Sequence, residues 1–225
     1  MRVLDLYCGI GGASEGYHQA GLEVVGVELN PKCEKYYPYK FLNKDVLELD
    51  PEFLSEFDLI HASSPCQAFS LLKHRTGKQY DNLIPATREL ILASGVDYIM
   101  ENVEQAQSEF EDSIILCGTM FDLGANCRDG QYRQLWRHRA FETSFDVQAP
   151  TECKHVGNPV GCYGDGGGGQ QTRGWKAYAD EGIEAMDLPY YAPRKYVNQA
   201  IPPAYSKYLS QQWLASRGFL GVLDC

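Results

Sequence analysis

The chain has 225 residues, 44% of them hydrophobic, and a formal net charge of −10. That length suits one full α/β domain with a small appendage, and the composition excludes a disordered chain. No apolar run reaches the length of a membrane span and no charged-then-apolar leader precedes the strand-like VLDLY, so a cytoplasmic protein with no membrane partner is expected.

In chain order, residues 2–8 (RVLDLYC) read as a buried strand, followed by the glycine-rich turn GIGG and a helix ASEGYHQAG that ends at Gly21. EVVGVE is a second strand ending at Glu28, and Pro31 to Tyr37 a short helix. A buried strand over 57–63 runs into SSPCQ, a helix follows over 83–94, and 97–102 (DYIMEN) is a further strand. Strands alternating with helices predict a mostly parallel sheet with helices on both faces, an α/β, Rossmann-like architecture. After Glu142 the character changes. The stretch 147–174 is rich in Pro, Gly, Thr and Gln and reads as a flexible loop rather than a second core. Patterning returns at Gly182–Leu188 and in a terminal helix opened by Pro202 and Pro203, with Tyr205, Tyr208, Leu209 and Trp213 at helical spacing. Three segments are therefore expected: 1–142, 143–182 and 183–225, the last returning to the first.

The acidic balance by itself disfavours a nucleic-acid partner, because phosphate contacts favour Lys and Arg. Between Asn126 and Lys176, however, the balance is +2, against −12 elsewhere, so a polyanion would meet this stretch first. Eight cysteines occur without a Cys-x-x-Cys pair, and reduced thiols are expected. Cys153-x-His155, with Cys127, Cys162 and His138 in the wider region, is a metal-like fragment. Its spacing is not a zinc pattern, so no metal site is expected.

Asp5-Leu-Tyr-Cys-Gly-Ile-Gly-Gly lies between strand and helix, where glycines let backbone N–H groups approach a ligand. Glu28 closes the next strand 23 residues later, the usual place for an acid that holds a ribose diol. Asp45 adds a third acid, with a plain turn or cap as its alternative role. Pro65 stiffens the turn after a strand and aims Cys66 out of the sheet end, although a lone cysteine is usually a small buried apolar residue. Glu101 ends a neighbouring strand, where it either faces the same ligand or caps a helix. Alternation puts Arg137 and Arg139 on one face of the next strand, suited to phosphate or carbonyl recognition or to a solvated basic edge.

The set DLYCGIGG, VVGVELN, SSPCQAFS, ENV, RHRAFET and AIPPAY, in this order, resembles the DNA cytosine carbon-5 methyltransferases, and most of all their short, phage-type members. The likeness covers nearly the whole chain outside roughly 143–182. It implies a class I S-adenosylmethionine-dependent fold and transfer of a methyl group to cytosine in double-stranded DNA by a monomer. The Cys66 thiolate would attack carbon 6 of the ring. Glu101 would hold the exocyclic amine and ring nitrogen 3, and Arg139, with Arg137 beside it, the carbonyl oxygen and the thiolate. Asp5, Tyr7, Gly9 and Gly11 would line the methionine end of S-adenosylmethionine, with Glu28 on its ribose, Leu29 and Asp45 bordering the adenine, and Pro65 packed nearby. The target base would leave the helical stack, because Cys66 cannot otherwise reach it. Gln67, Ser70 and the loop carrying Lys73, His74, Arg75 and Lys78 would close over the substrate. Protection of a host or phage genome is the biological role such a likeness implies.

Three departures qualify it. Leu135 stands where the family carries Gln ahead of its Arg-x-Arg motif. Asn198-Gln199 replaces the usual Gly-Asn before the AIPP segment, which leaves the cofactor contact of Asn198, and even a modified cofactor, open. The recognition region is cut to about 40 Gly-rich residues, too few for extended base readout. A short target is expected, touched by Gly164–Gly169, Gln170, Gln171, Arg173 and Trp175, unless this loop only covers the site. Competing functions are the same chemistry on a tRNA cytosine or free cytosine nucleotide, and a non-catalytic cofactor-binding regulatory subunit. A glycine-turn dehydrogenase would leave Pro65-Cys66-Gln67 without a role.

Overall fold

The computed structural model describes residues 1–69, 80–163 and 174–219. The aliphatic runs that begin the chain become the centre of a sheet. Strand β1 (Arg2–Leu6) lies between β2 (Glu23–Val27) and β4 (Leu59–Ser63), parallel to both. Their inward and outward residues are alike buried, the pattern of strands covered on both faces. Beyond β2 lies β3 (Lys40–Leu42), and beyond β4 lies β5 (Asp97–Val103), again parallel. The far edge is formed by β6 (Ser113–Leu116) and β9 (Arg139–Thr143), with β9 antiparallel to both β5 and β6. The order is β3-β2-β1-β4-β5-β9-β6, and the expected mostly parallel, doubly covered sheet is the fold of the protein.

Two apolar clusters cover the sheet. One joins Val3, Tyr17, Leu59, Phe141, Tyr205, Leu209 and Trp213; the other joins Leu4, Val25, Ile60, Ile84, Ile91 and Met100 on the opposite face. Helix α1 (Gly12–Gln19) and the C-terminal helix α6 (Pro203–Ser216) pack together on the first face. Their contact depends on glycine: a Cβ on Gly16 would lie 2.1 Å from the Pro203 carbonyl oxygen, and one on Gly12 2.3 Å from that of Ile201. The Ser206 hydroxyl donates to the Ala13 carbonyl at 2.8 Å across this seam. Helices α2 (Pro51–Leu54) and α3 (Ile84–Ser94) cover the second face.

Several local expectations change. Pro31–Tyr36 winds as a 3-10 turn capped by Asn30 instead of an α-helix. Strand β6 and the hairpin β7 (Gly124–Asn126) with β8 (Tyr132–Gln134) carry no clear period in the sequence. The stretch 147–174 is not wholly a loop. Val160 and Gly161 pair with Trp175 and Lys176 as two short strands, and Val160 and Cys162 are fully buried in the first cluster. Helix α4 (Ala179–Met186) and the single turn α5 (Arg194–Val197) complete that side. Among the described residues, no helix is long and apolar enough to cross a membrane.

Candidate active site

The turn after β1 is wound by backbone conformations that few residues adopt. Tyr7, Gly9 and Gly11 have φ of 61°, 54° and 91°. Tyr7 is the exception among them, since a side chain in the left-handed region costs about 1–2 kcal/mol and such strain gathers at ligand sites. Its hydroxyl is held by Thr87 at 2.9 Å. The Gly9 N–H donates to Glu28 at 3.2 Å, so the turn is tied to the end of β2. Asn43 donates to the carbonyls of Glu28 and Leu29 at 2.8 and 2.9 Å and fixes that strand end. Leu29 is left 65% exposed, an apolar surface beside the turn with nothing to cover it among the described residues. Nothing lies within 4 Å of the position where a Gly9 Cβ would point. Asp5 is buried, with one carboxylate oxygen on Ser14 and the other without a hydrogen-bond partner. Open space over glycine, an unpartnered buried carboxylate oxygen and an exposed apolar flank are features that fit an amino-acid-bearing nucleoside. Burial, with Glu28 and Glu101 adding repulsion against the Ser14 hydrogen bond, pushes the Asp5 carboxyl up to about 7.

The second half of the site comes from the ends of β4, β5 and β9. Register places Ser63 beside Glu101, and Val103 opposite Arg139. Cys66 opens a 3-10 turn just past β4 and is exposed, outside both apolar clusters. The turn before it is clamped: Asn102 donates to the Ser64 carbonyl at 2.9 Å and to its hydroxyl at 3.1 Å. Glu101 is buried and paired with Arg139, Nε to Oε1 2.9 Å. Burial raises the Glu101 carboxyl above its usual range, with Arg139, Ser63 and Arg137 pulling it back. Flanking protein raises the Cys66 thiol even though its own surface is open. Arg139 opposes that rise, Glu101 adds to it and Arg137 opposes it. A sulfur, a carboxyl and a guanidinium thus share one electrostatic neighbourhood at adjacent strand ends, where ligands bind in open α/β sheets.

A family model described as C-5 cytosine-specific DNA methylase matches residues 1–115, which contain both the glycine turn and the Cys66–Glu101 pair. The chain belongs to this family. Within 132 residues it is 33% identical to the tRNA (cytosine(38)-C(5))-methyltransferase of Spodoptera frugiperda, a match covering 51% of this chain and 37% of that protein. It is 32% identical over 120 residues to the Type II methylase M.HgiDII of Herpetosiphon aurantiacus, covering 47% and 34%. The matches thus span about a third of the length of these relatives. The S. pombe Dnmt2 methyltransferase structure superposes with a TM-score of 0.63 at 13% identity, covering 96% of this chain and 99% of that one, a likeness of fold. S-adenosylmethionine is the cofactor of this family and fold.

In this member of the family the two arginines expected on one face separate. Arg139 meets Glu101, whereas Arg137 is only 1% exposed and its guanidinium donates to the carbonyls of Cys162 (2.5 Å), Asn198 (3.0 Å) and Ala200 (2.8 Å). Arg137 is a buried strut that ties the backbone at Cys162 to that at Asn198 and Ala200, and its charge opposes the rise of the Cys66 thiol. Asn198 belongs to the same node, its amide donating to the Tyr163 carbonyl at 2.9 Å. Asp45 caps the 3-10 turn Val46–Glu48 through the Leu47 N–H at 3.0 Å, and its charge is felt at Tyr7. Pro65 is half-buried beside Cys66, and Gln67 is exposed on the same turn. Trp175 is engaged internally, its indole N–H on Glu181 at 2.8 Å and Arg133 over its ring. Ser70, Lys73, His74, Arg75, Lys78, Gly164–Gly169, Gln170, Gln171 and Arg173 lie outside the described residues. Sequence reading gave no role to Asn102 and Asn43, short polar side chains whose partners lie 38 residues away for Asn102 and 14 and 15 residues away for Asn43.

Proposed function

We propose that this chain methylates carbon 5 of cytosine in double-stranded DNA through a covalent adduct on Cys66. The observation that carries it is the meeting of Cys66, Glu101 and Arg139 at adjoining strand ends beside the Asp5–Gly11 turn. Carbon 5 is a poor nucleophile, and bonding of the Cys66 thiolate to carbon 6 makes it enamine-like. Glu101, its carboxyl raised above the ordinary range by burial, hydrogen-bonds the exocyclic amine and ring nitrogen 3 and stabilises the charge that develops there. Arg139 holds the ring carbonyl and favours the thiolate, and Arg137 adds its field from behind. Asp5, Tyr7, Gly9, Gly11 and Glu28, with Leu29 and Asp45 at the adenine, would hold S-adenosylmethionine, whose sulfonium methyl group would pass to carbon 5 and leave S-adenosylhomocysteine; loss of the carbon-5 proton to a base would then expel the Cys66 thiolate. The target base must swing out of its duplex to meet Cys66.

A tRNA cytosine is the second candidate substrate, favoured by the 33% identity to a tRNA methyltransferase and by the net charge of −10. Purified protein with methyl-labelled S-adenosylmethionine is offered duplex DNA, tRNA and dCMP in parallel. Label at cytosine carbon 5 of DNA is expected. Label in tRNA or dCMP alone overturns the substrate, and label in none, with the cofactor bound, overturns the chemistry.

The Asp5 carboxyl makes a separate expectation about pH. A folded pKa of about 7 lies above the unfolded 3.8, so the folded state keeps a proton that the unfolded chain gives up. This contribution to stability is complete below about pH 4 and is lost as pH rises through about 7. An ammonium group brought next to Asp5 reverses the preference and expels the proton. Calorimetry of S-adenosylmethionine binding near pH 6.5, in two buffers of different ionisation enthalpy, is expected to show proton release that vanishes near pH 9 and in Asp5→Asn. Equal heats in both buffers at the lower pH refute it.

A further inference from the structure

Four side chains distant in sequence converge beside the Arg139 strand. Cys117 follows β6, His138 precedes β9, and Cys153 and His155 lie on the loop after it. Their ligand atoms all lie within 4.8 Å of one another. The His155 Nε2 is 2.9 Å from the Cys153 sulfur and 3.4 Å from the Cys117 sulfur, and the His138 Nε2 is 3.4 Å from the Cys153 sulfur. We propose that these residues form a tetrahedral Cys2His2 zinc centre that clamps the recognition-region loop onto the catalytic strand.

Geometry and chemistry agree. With zinc–sulfur bonds near 2.3 Å and zinc–nitrogen bonds near 2.0–2.1 Å, a tetrahedron has sulfur–nitrogen edges of about 3.5 Å. Two of the sulfur–nitrogen separations, at 3.4 Å, lie close to that value and the Cys153–His155 one, at 2.9 Å, is shorter, so an ion fits once Cys153 and His155, both exposed, move apart. Two sulfurs and two imidazoles are a soft set that selects zinc over magnesium or calcium. The outer contacts are those of a metal site as well. His138 has its Nδ1 3.2 Å from the Glu104 carboxylate; donation there leaves the Nε2 lone pair facing the sulfur, as in carboxylate–histidine–zinc triads. The His155 ring stacks on Trp136 at 4.2 Å and 9°, and the Thr119 hydroxyl lies 3.3 Å from one sulfur and 3.5 Å from the other. Gln134 accepts from the Val156 N–H at 2.8 Å and fixes the loop next to its ligands. Cys127 and Cys162 take no part; both are buried in the first apolar cluster.

Zinc binding displaces the thiol protons of Cys117 and Cys153 into solvent and leaves a Zn²⁺–bis-thiolate. Its consequence is mechanical. His138 stands between Arg137 and Arg139, and Glu104 follows the Glu101–Asn102–Val103 strand end, so one ion ties three segments of the site together. The centre stands whether or not the chain methylates cytosine, and its test needs no activity.

Untagged full-length protein, prepared without chelator, is assayed by inductively coupled plasma mass spectrometry. About one zinc per chain is expected, falling at least fivefold in Cys153→Ser/His155→Ala and unchanged in Cys127→Ser. Cobalt(II) added to zinc-stripped protein is expected to give the intense visible bands of a tetrahedral thiolate site. The proposal is overturned if the wild-type chain, folded by circular dichroism, holds less than about a tenth of an equivalent of zinc and leaves cobalt octahedral. It is equally overturned if intact mass shows a Cys117–Cys153 disulfide, or if Cys127→Ser loses as much metal as the double variant.

Discussion

Replacing Cys66 with alanine is expected to lower methyl transfer to cytosine by at least about 10⁴-fold, the scale of a lost nucleophile, while S-adenosylmethionine affinity stays within about twofold. The two effects separate because the chain builds the two halves from different strand ends. The glycine turn follows β1 and is tied to Glu28 on β2, whereas Cys66 follows β4 and is oriented by Asn102 on β5. Nothing in the Asp5–Gly11 turn hydrogen-bonds to Cys66 among the described residues, so removing the sulfur leaves the turn intact. The thiol also sets the pH profile. Flanking protein raises its pKa, and Arg139 supplies the largest opposing effect. The rate is therefore expected to climb with pH as the thiolate forms, and Arg139→Gln is expected to move that climb to higher pH. Label transfer and calorimetry on the same preparations check both statements. Transfer by the alanine variant above about 1% of wild type would remove covalent catalysis from the proposal.

Gly16→Ala is expected to destabilise the fold by about 3 kcal/mol, the upper part of the overpacking range. On helix propensity alone the change favours the folded state by about 0.8–1 kcal/mol. The tertiary contact decides otherwise. The new Cβ would lie 2.1 Å from the Pro203 carbonyl oxygen, 2.2 Å from the Ser206 hydroxyl and 2.7 Å from the Lys207 nitrogen. Two of those atoms are backbone, so α1 and α6 must move apart, and Tyr205, Leu209 and Trp213 lose their packing with them. For a chain of this size the melting temperature should fall by roughly 6–12 °C. Gly21→Ala is the comparison: nothing lies within 4 Å there, and its φ of 83° implies strain of only about 1–2 kcal/mol. Equal thermal shifts for the two variants would place the cost in backbone conformation instead of at the helix seam.

Local pattern accounts for the parts of this protein that were legible early. VLDL, VVGV and LIHA place apolar residues on both faces, which a sheet covered on both sides accommodates, and the parallel core follows from them. The turn at Gly9 and Gly11 was legible because a sharp turn before a helix requires positive φ. Cys66 and Glu101 were legible because a motif at a strand end needs no knowledge of distant partners. Strand β6 and the short pairing of Val160–Gly161 with Trp175–Lys176 were not, since strands of two to four residues show too little period.

The sequence by itself determined the strand ends and the chemical groups they carry: thiol, carboxyl, guanidinium and a glycine turn. Tertiary structure decided what each group is paired with. It sent Arg137 to three backbone carbonyls and Arg139 to Glu101, although the two look alike in a strand pattern. It also replaced Cys127 and Cys162 by Cys117 beside His138, Cys153 and His155. The physical reason is range. Backbone conformation and burial period are set by neighbours a few residues away, whereas ion pairs and ligand clusters form between residues that meet only once the sheet has been assembled.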